Sequence, residues 1–310
     1  MKTNLATWFG SAAAALCLVS TVAPQANAGQ MVNGWNYSIQ SSGNGSGGAV
    51  YDFTGLAIKD TGDSIIVALN TGMSLGGNSY GGTQIGLGDL FFNFTGKDFA
   101  TANASGSLFG IHFDPTTNST VSATGVYSGV TAKSVTASHY GYSSINQYFN
   151  AGYGKGSVQG DLVTKDGART YYGNGGSGPI YNVVNTGTKV ADVTMLTKDI
   201  LTANGLDFST LGAKSPQTLG FQFSKAALGA VFGSYVANIF MECGNDGIAV
   251  AGTLAANQPP TTTVPTPSAD GAPTPAVPEP AEIGGVALAA LILGTMKLKA
   301  SKRSNTGLKL

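Results

Sequence analysis

Few side chains in this chain suit acid–base or nucleophilic work. There are two histidines, His112 and His139, one in a strand-like run and one in a loop-like stretch. Between residues 29 and 276 stand one glutamate, Glu242, and thirteen aspartates. Glycoside hydrolysis needs two carboxyl groups with separated pKa values, so it would have to draw on Glu242 and one of those aspartates. Glu242 closes an apolar run and leads into Cys243-Gly244-Asn245-Asp246. One reading is a polar cluster at the rim of a sheet, holding a sugar or calcium. The other is a turn that ends a strand, its side chains bonded to backbone amides. The sequence favours the turn. No His-x-x-x-His or Cys-x-x-Cys spacing points to zinc. A Ser-His-Asp triad assembled in space stays open, although no Gly-x-Ser-x-Gly elbow occurs. Asp60, Asp63, Asp89 and Asp246 lie near turn residues, where calcium finds oxygen ligands, but no EF-hand spacing occurs. Calcium is thus a minor alternative, and neither a metal site nor a cofactor is assigned. The stretches Gly43–Gly48 and Gly173–Gly178 fit Gly-x-Gly-x-x-Gly, a pattern that 45 glycines produce by chance. Neither opens a helix inside a β-α-β unit. The set is that of a protein without catalytic residues.

Binding is better supported than turnover. Tyr140, Tyr142, Tyr148, Tyr153, Tyr171, Tyr172 and Tyr181 cluster in a glycine-rich region with Asn146, Gln147, Asn150, Asn174 and Asn182 between them. Sugars stack on exposed rings flanked by amides. Tyr140, Tyr142, Tyr171 and Tyr172 are therefore the candidate ligand-binding residues. The competing reading packs these tyrosines at sheet edges.

Composition narrows the partners. Charged residues make up 10% of the chain, against about 25% in an average soluble protein. From Gly29 to Ala276 there are nine Lys and one Arg against thirteen Asp and one Glu, a net charge of −4. That argues against nucleic acid, which asks for a basic face. Cys243 is the single cysteine after residue 28, so no intramolecular disulfide is available to that region and its core must carry the stability. Cys243 reads as a small buried residue.

The elements that must position these residues are mostly strands. Trp35–Ile39 alternates apolar and polar residues as a half-buried strand does. Ile65–Leu69 is continuously apolar, as at a sheet centre. Leu90–Phe94, Leu108–Phe113, Leu219–Phe223 and Val236–Met241 read as further strands, and Val121–Val135 reads as a hairpin with glycine breaks. Asp60-Thr61-Gly62-Asp63 has turn chemistry. Ser143–Phe149 can form about two helical turns capped by Ser143, and Val193–Asn204 is ambiguous between strand and helix. Many short strands with glycine turns and few helices predict a mainly β fold, a two-sheet β-sandwich of jelly-roll type.

Both ends carry sorting features. Lys2, a stretch of mostly apolar or small residues from 5 to 23, and Ala26-Asn27-Ala28 fit a signal peptide cut after Ala28, leaving Gly29 first. A lipoprotein signal at Cys17 fits poorly, because Leu16 stands where a small residue is wanted. Residues 257–280 hold eight of the twelve prolines with interspersed threonines, a composition that favours extended polyproline-like chain. Val277-Pro278-Glu279-Pro280 follows, then the apolar run Ile283–Met296, then Lys297, Lys299, Lys302, Arg303 and Lys309. As a helix the run covers about 21 Å, less than the ~30 Å of a hydrocarbon core. It suits a brief anchor with the basic tail inside.

This tail resembles the PEP-CTERM signal of bacterial proteins processed by an exosortase. The phrases Gly55–Asp63, Gly86–Phe94 and Met241–Asp246 resemble an exosortase-dependent surface protein family best represented in cyanobacteria. The resemblance implies a signal peptide (1–28), a surface domain (29–256), a Pro/Thr linker (257–276) and a sorting segment (277–310) with the motif Pro278, Glu279, Pro280 and a short membrane helix. It implies signal peptidase and exosortase as processing partners, transient membrane anchoring, and a cell-surface or secreted protein of the exopolysaccharide-bearing matrix. It supplies no catalytic residues. The alternative is a carbohydrate-binding module or carbohydrate-active enzyme.

Overall fold

The computed structural model describes residues 29–256. Ala26, Ala28, Pro278, Glu279, Pro280, the Pro/Thr linker and the apolar run expected to be helical lie outside the described residues. The described chain is mainly β. Its strands are Gln30–Val32 (β1), Trp35–Ile39 (β2), Phe53–Asp60 (β3), Ser64–Thr71 (β4), Asn78–Tyr80 (β5), Thr83–Ile85 (β6), Leu90–Asn93 (β7), Leu108–His112 (β8), Gly125–Lys133 (β9), Val183–Ala191 (β10), Thr194–Leu196 (β11), Gln217–Ser224 (β12), Gly233–Phe240 (β13) and Gly247–Leu254 (β14). They form two large antiparallel sheets, β1-β2-β3-β4-β12-β11 and β10-β9-β8-β7-β13-β14, and a small hairpin, β5-β6.

The two sheets share one core. Ile65, Val67 and Leu69 of β4 and Phe221 and Phe223 of β12 meet Leu90 and Phe92 of β7, Ile239 of β13 and Val250 of β14. Phe113 stacks on Phe221 at 4.7 Å between ring centroids. Each such side chain contributes about 1.5–3 kcal/mol on burial.

The outer faces are also covered, which explains the continuous apolar runs. Ile66 and Ala68, the alternate residues of β4, join Trp35, Tyr37, Leu201, Leu206 and Phe208 in a second cluster. Phe91, between Leu90 and Phe92, joins Phe99, Tyr148, Phe149, Tyr171 and Tyr172 in a third. Four short helices contribute to these layers: Phe99–Ala104 (α1), Ile145–Asn150 (α2), Lys165–Tyr172 (α3) and Lys198–Ala203 (α4). Each is capped by a hydroxyl or carboxylate side chain, from Asp98, Ser144, Thr164 and Thr197 in turn.

Four sequence expectations change. Trp35–Ile39 is a strand, but its polar residues are buried as well, and Asn36 Nδ2 donates to Ala251 O at 2.9 Å. Val121–Val135 makes no hairpin. It supplies one long strand, β9, in which Gly129 (φ 63°) sits at a register shift against β8, so the glycine marks a bulge, not a turn. The ambiguous Val193–Asn204 segment splits into β11 and α4, and the cap of α2 is Ser144, one residue beyond Ser143.

The outer edge of β14 is closed by chain from elsewhere. Asp161 N donates to Ala249 O (3.0 Å), Ala249 N to Gln159 O (3.3 Å) and Gly29 N to Ala251 O (3.2 Å). Ala251 N donates to the Asp161 carboxylate at 2.8 Å. Among the described residues, no helix is long and apolar enough to cross a membrane.

Candidate functional site

Four of the residues singled out for chemistry, Glu242, Asp89, His112 and His139, gather where the loops after β6, β8, β9 and β13 meet. Glu242 follows β13 and is fully buried. Its Oε2 accepts the Gly86 amide at 2.7 Å, and its Oε1 accepts the Asn118 amide in a very short contact. The Asn118 side-chain amide lies 3.2 Å from Glu242 Oε2 and 3.0 Å from His139 Nε2. His139 Nδ1 is 2.8 Å from Val135 O. Nδ1 therefore donates to that carbonyl, and Nε2 is 3.6 Å from Glu242 Oε2. One carboxylate thus ties together the ends of three loops. The sequence reading favoured side-chain bonds to backbone amides at a strand end; the amides prove to belong to two distant loops and not to Glu242's own turn.

A second buried group lies beside it. Asp89 Oδ1 is 2.9 Å from His112 Nδ1, and its Oδ2 accepts the Val184 amide at 2.6 Å together with the Ser119 hydroxyl. Ser, His and Asp are all present, but in the wrong order for a triad. In a triad the imidazole stands between hydroxyl and carboxylate and takes the hydroxyl proton. Here the carboxylate stands between the other two, so Ser119 spends its proton on Asp89.

Cys243 is buried, and burial pushes its thiol up to about 12. Asp246 is also buried. Desolvation holds its carboxyl well above the usual range, although Phe53 N (2.8 Å) and Gln40 Nε2 (3.0 Å) donate to it. Asp60 pairs with Lys225 at 2.6 Å, and Asp63 is exposed in the β3–β4 turn. Among the described residues, no three His, Cys, Asp or Glu side chains come together as metal ligands.

The candidate tyrosines separate. Tyr171 and Tyr172 are core residues, a correction to their reading as ligand contacts. The reason is the spacing on α3, which turns Ala168, Tyr171 and Tyr172 onto the outer face of the second large sheet. Tyr171 Oη donates to Asn238 Oδ1 at 2.9 Å. Tyr142 is half-buried against Tyr148 and Tyr153.

Tyr140 alone of the four stands clear, 65% exposed. It has a partner that sequence reasoning missed, Tyr80, which is 59% exposed at the end of β5. The ring centroids are 5.7 Å apart and the planes meet at 81°. Gly81 and Gly82 follow Tyr80 with φ of 59° and 81°, the left-handed pair that a tight two-residue hairpin needs. A Cβ on Gly81 would lie 3.1 Å from the Tyr140 ring. Tyr80-Gly81-Gly82-Thr83 was the available signal, since Gly-Gly between strand formers marks a hairpin.

Two surface grooves lie elsewhere. One, of about 510 Å³, is lined by Met31, Asn36, Ile58, Tyr235 and Leu254; the other, of about 360 Å³, by Gln40, Ser41, Ser157 and Lys214. Glu242 and Asp89 line neither. Compared with known proteins, the chain matches no family profile, no curated protein and no solved structure.

Proposed function

We propose that this is an exported, exosortase-processed surface or extracellular-matrix protein whose β domain is non-catalytic and associates with exopolysaccharide. Signal peptidase cuts after Ala28 and the exosortase cuts near Pro278-Glu279-Pro280, so the apolar run Ile283–Met296 anchors the chain only in transit. The support for sorting is the order of features in the sequence: small-x-small site, proline-rich spacer, short apolar run, basic tail. We read the two sheets, with their common core and the crossings from β4 to β7 and from β12 to β13, as a sandwich of jelly-roll type.

One observation carries the non-catalytic reading. Glu242, Asp89, His112, His139 and Cys243 are each at most 3% exposed, and the two carboxylates among them are spent on the chain's own amides, hydroxyl and imidazole. A general acid or base must reach a substrate proton, and these groups face inward.

The test is the mass of the protein recovered from the surface of its host. A chain that starts at Gly29 and ends near Pro278–Pro280 is expected. Finding the Lys297-to-Leu310 peptide on mature surface protein would overturn the sorting claim. Hydrolysis of a polysaccharide that is lost on Glu242→Gln, at unchanged melting temperature, would overturn the non-catalytic one.

A further inference from the structure

Tyr80 and Tyr140 are large rings left in water beside one another, on two segments far apart in sequence. An edge-to-face aromatic pair is ordinarily a device for burying apolar area; in this pair both residues stay more than half exposed. Tyr140 also adopts φ 59°, ψ 25°, the left-handed region. A residue with a side chain pays for that conformation, and glycine would not. A bulky ring therefore stands, largely unburied, at a position whose backbone favours glycine, with its hydroxyl donating to Gly81 O at 3.4 Å.

The base beneath the pair is rigid. His139, next to Tyr140, is buried and bonded to Val135 and Asn118. A Cβ on Gly141 would lie 1.6 Å from Cys243 O, so the chain there rests directly on other backbone. Tyr142 N donates to Cys243 O at 3.2 Å. The hairpin that carries Tyr80 is held at its far end by Gly86 N on Glu242. Glu242 thus fixes the bases of both tyrosine-bearing segments, and binding to a surface so fixed costs little ordering.

The chemistry of the surroundings selects the partner. Residues 74–88 and 134–154 contain no Lys, Arg, Asp or Glu. Thr83, the register partner of Tyr80, lies on the same face of the hairpin as its ring, and Ser138, two residues before Tyr140, is exposed. Such a surface offers neither an ion pair to a uronate or phosphate nor a wide apolar face to a protein. It offers ring faces for the C–H face of a pyranose and neutral hydrogen-bonding groups for its hydroxyls.

We infer that the Tyr80–Tyr140 corner is a stacking site for a neutral polysaccharide. This rests on the reading of the domain as a matrix component, and it names the surface through which the matrix is held. Tyr80 and Tyr140 supply the stacking faces. Glu242, Asn118 and His139 are positioning residues that never touch the sugar.

The experiment uses the protein as exported by its host, with Tyr80→Ala, Tyr140→Gly, the double variant, and Tyr80→Phe and Tyr140→Phe. Affinity electrophoresis is run in gels holding hydroxyethylcellulose, dextran or galactomannan, with polygalacturonate as the charged counterpart. At least one neutral polymer is expected to retard the wild type, with about tenfold weaker binding for each ring deletion, about 1.4 kcal/mol, and near wild-type binding for the phenylalanine variants. Melting temperatures report whether the fold survives, and Tyr140→Gly suits the backbone by design. Equal retardation of wild type and double variant, retardation by polygalacturonate alone, or ring deletions that change only self-association in sedimentation would each overturn the site. The matrix fraction of the host separates the two levels. A double variant that stays in the matrix overturns the site and leaves the matrix reading intact. A wild type that is retarded through its tyrosines yet absent from the matrix supports the site and overturns that reading.

Discussion

Gly86 and Glu242 lie 156 residues apart in the chain and 2.7 Å apart in space, the glycine amide donating to the carboxylate. The bond is returned, because Glu242 N donates to Gly86 O at 3.1 Å. The end of the β5–β6 hairpin is thereby fastened to the end of β13, and Asn118 adds a third loop to the same carboxylate.

Replacing that carboxylate should cost stability. In Glu242→Gln one oxygen becomes an NH₂ group facing an amide N–H, so a buried donor loses its acceptor. A loss of about 1–3 kcal/mol is expected, read as a lower urea midpoint at unchanged slope. An unchanged midpoint would mean that the three loops are held by other contacts.

Stability should also depend on pH in an unusual direction. Burial raises the Asp161 carboxyl to about 6, and the Ala251 amide and Ser38 hydroxyl only partly offset this; the Asp246 carboxyl is raised for the same reason. A group whose folded pKa lies above its unfolded value of about 3.8 favours folding while protonated. Its contribution is full below pH ~4 and is lost as pH rises to the folded value. Between pH ~4 and 6 the unfolded state sheds the Asp161 proton first, and about 2–3 kcal/mol is lost. Thermal melts across this range should show falling stability, and Asp161→Asn should flatten the profile. A profile of Asp161→Asn that matches the wild type would remove Asp161 as the cause.

Cys243 should be inert in the folded protein. Its thiol is buried and held near 12, and the thiolate is the reactive form. A chromogenic disulfide reagent at pH 8 should label it only after denaturant is added. Stoichiometric labelling under native conditions would place the thiol at the surface.

The tyrosines should divide by energy as they do by place. Tyr171→Ala removes a ring packed on Phe99 and Tyr172 and is expected to cost about 3–5 kcal/mol, as for other large buried aromatics. Tyr80→Ala should change stability by about 0.5 kcal/mol or less, as surface changes do. Paired chemical denaturation curves of the two variants check this.

Much of the fold was legible because period and strand length agreed. The run Ile65–Leu69 announced a strand covered on both faces, and β4 alternates between two clusters. What hid was whatever depended on the third dimension. The four helices are six to eight residues long, too short for a periodic signal to stand out. Gly129 looks like a turn residue in sequence, and only pairing on both sides of β9 makes it a bulge. Tyr171 and Tyr172 looked like a binding motif because composition does not tell which side of a helix meets a sheet. Tyr80 drew no notice because its partner lies 60 residues along the chain. Glu242 was legible as a carboxylate bonded to backbone amides, but the distant loops it would reach were not.

The strand that ends the described chain is covered along the middle of its outer flank. The amides and carbonyls of Ala249 and Ala251 are matched by Gln159, Asp161 and Gly29. An uncovered edge is a template on which a neighbouring molecule can add its own strand. A protein with few surface charges has little repulsion to prevent that. The middle of β14 is therefore closed as a template for a strand from a second molecule, and it would open only if residues 159–161 came away.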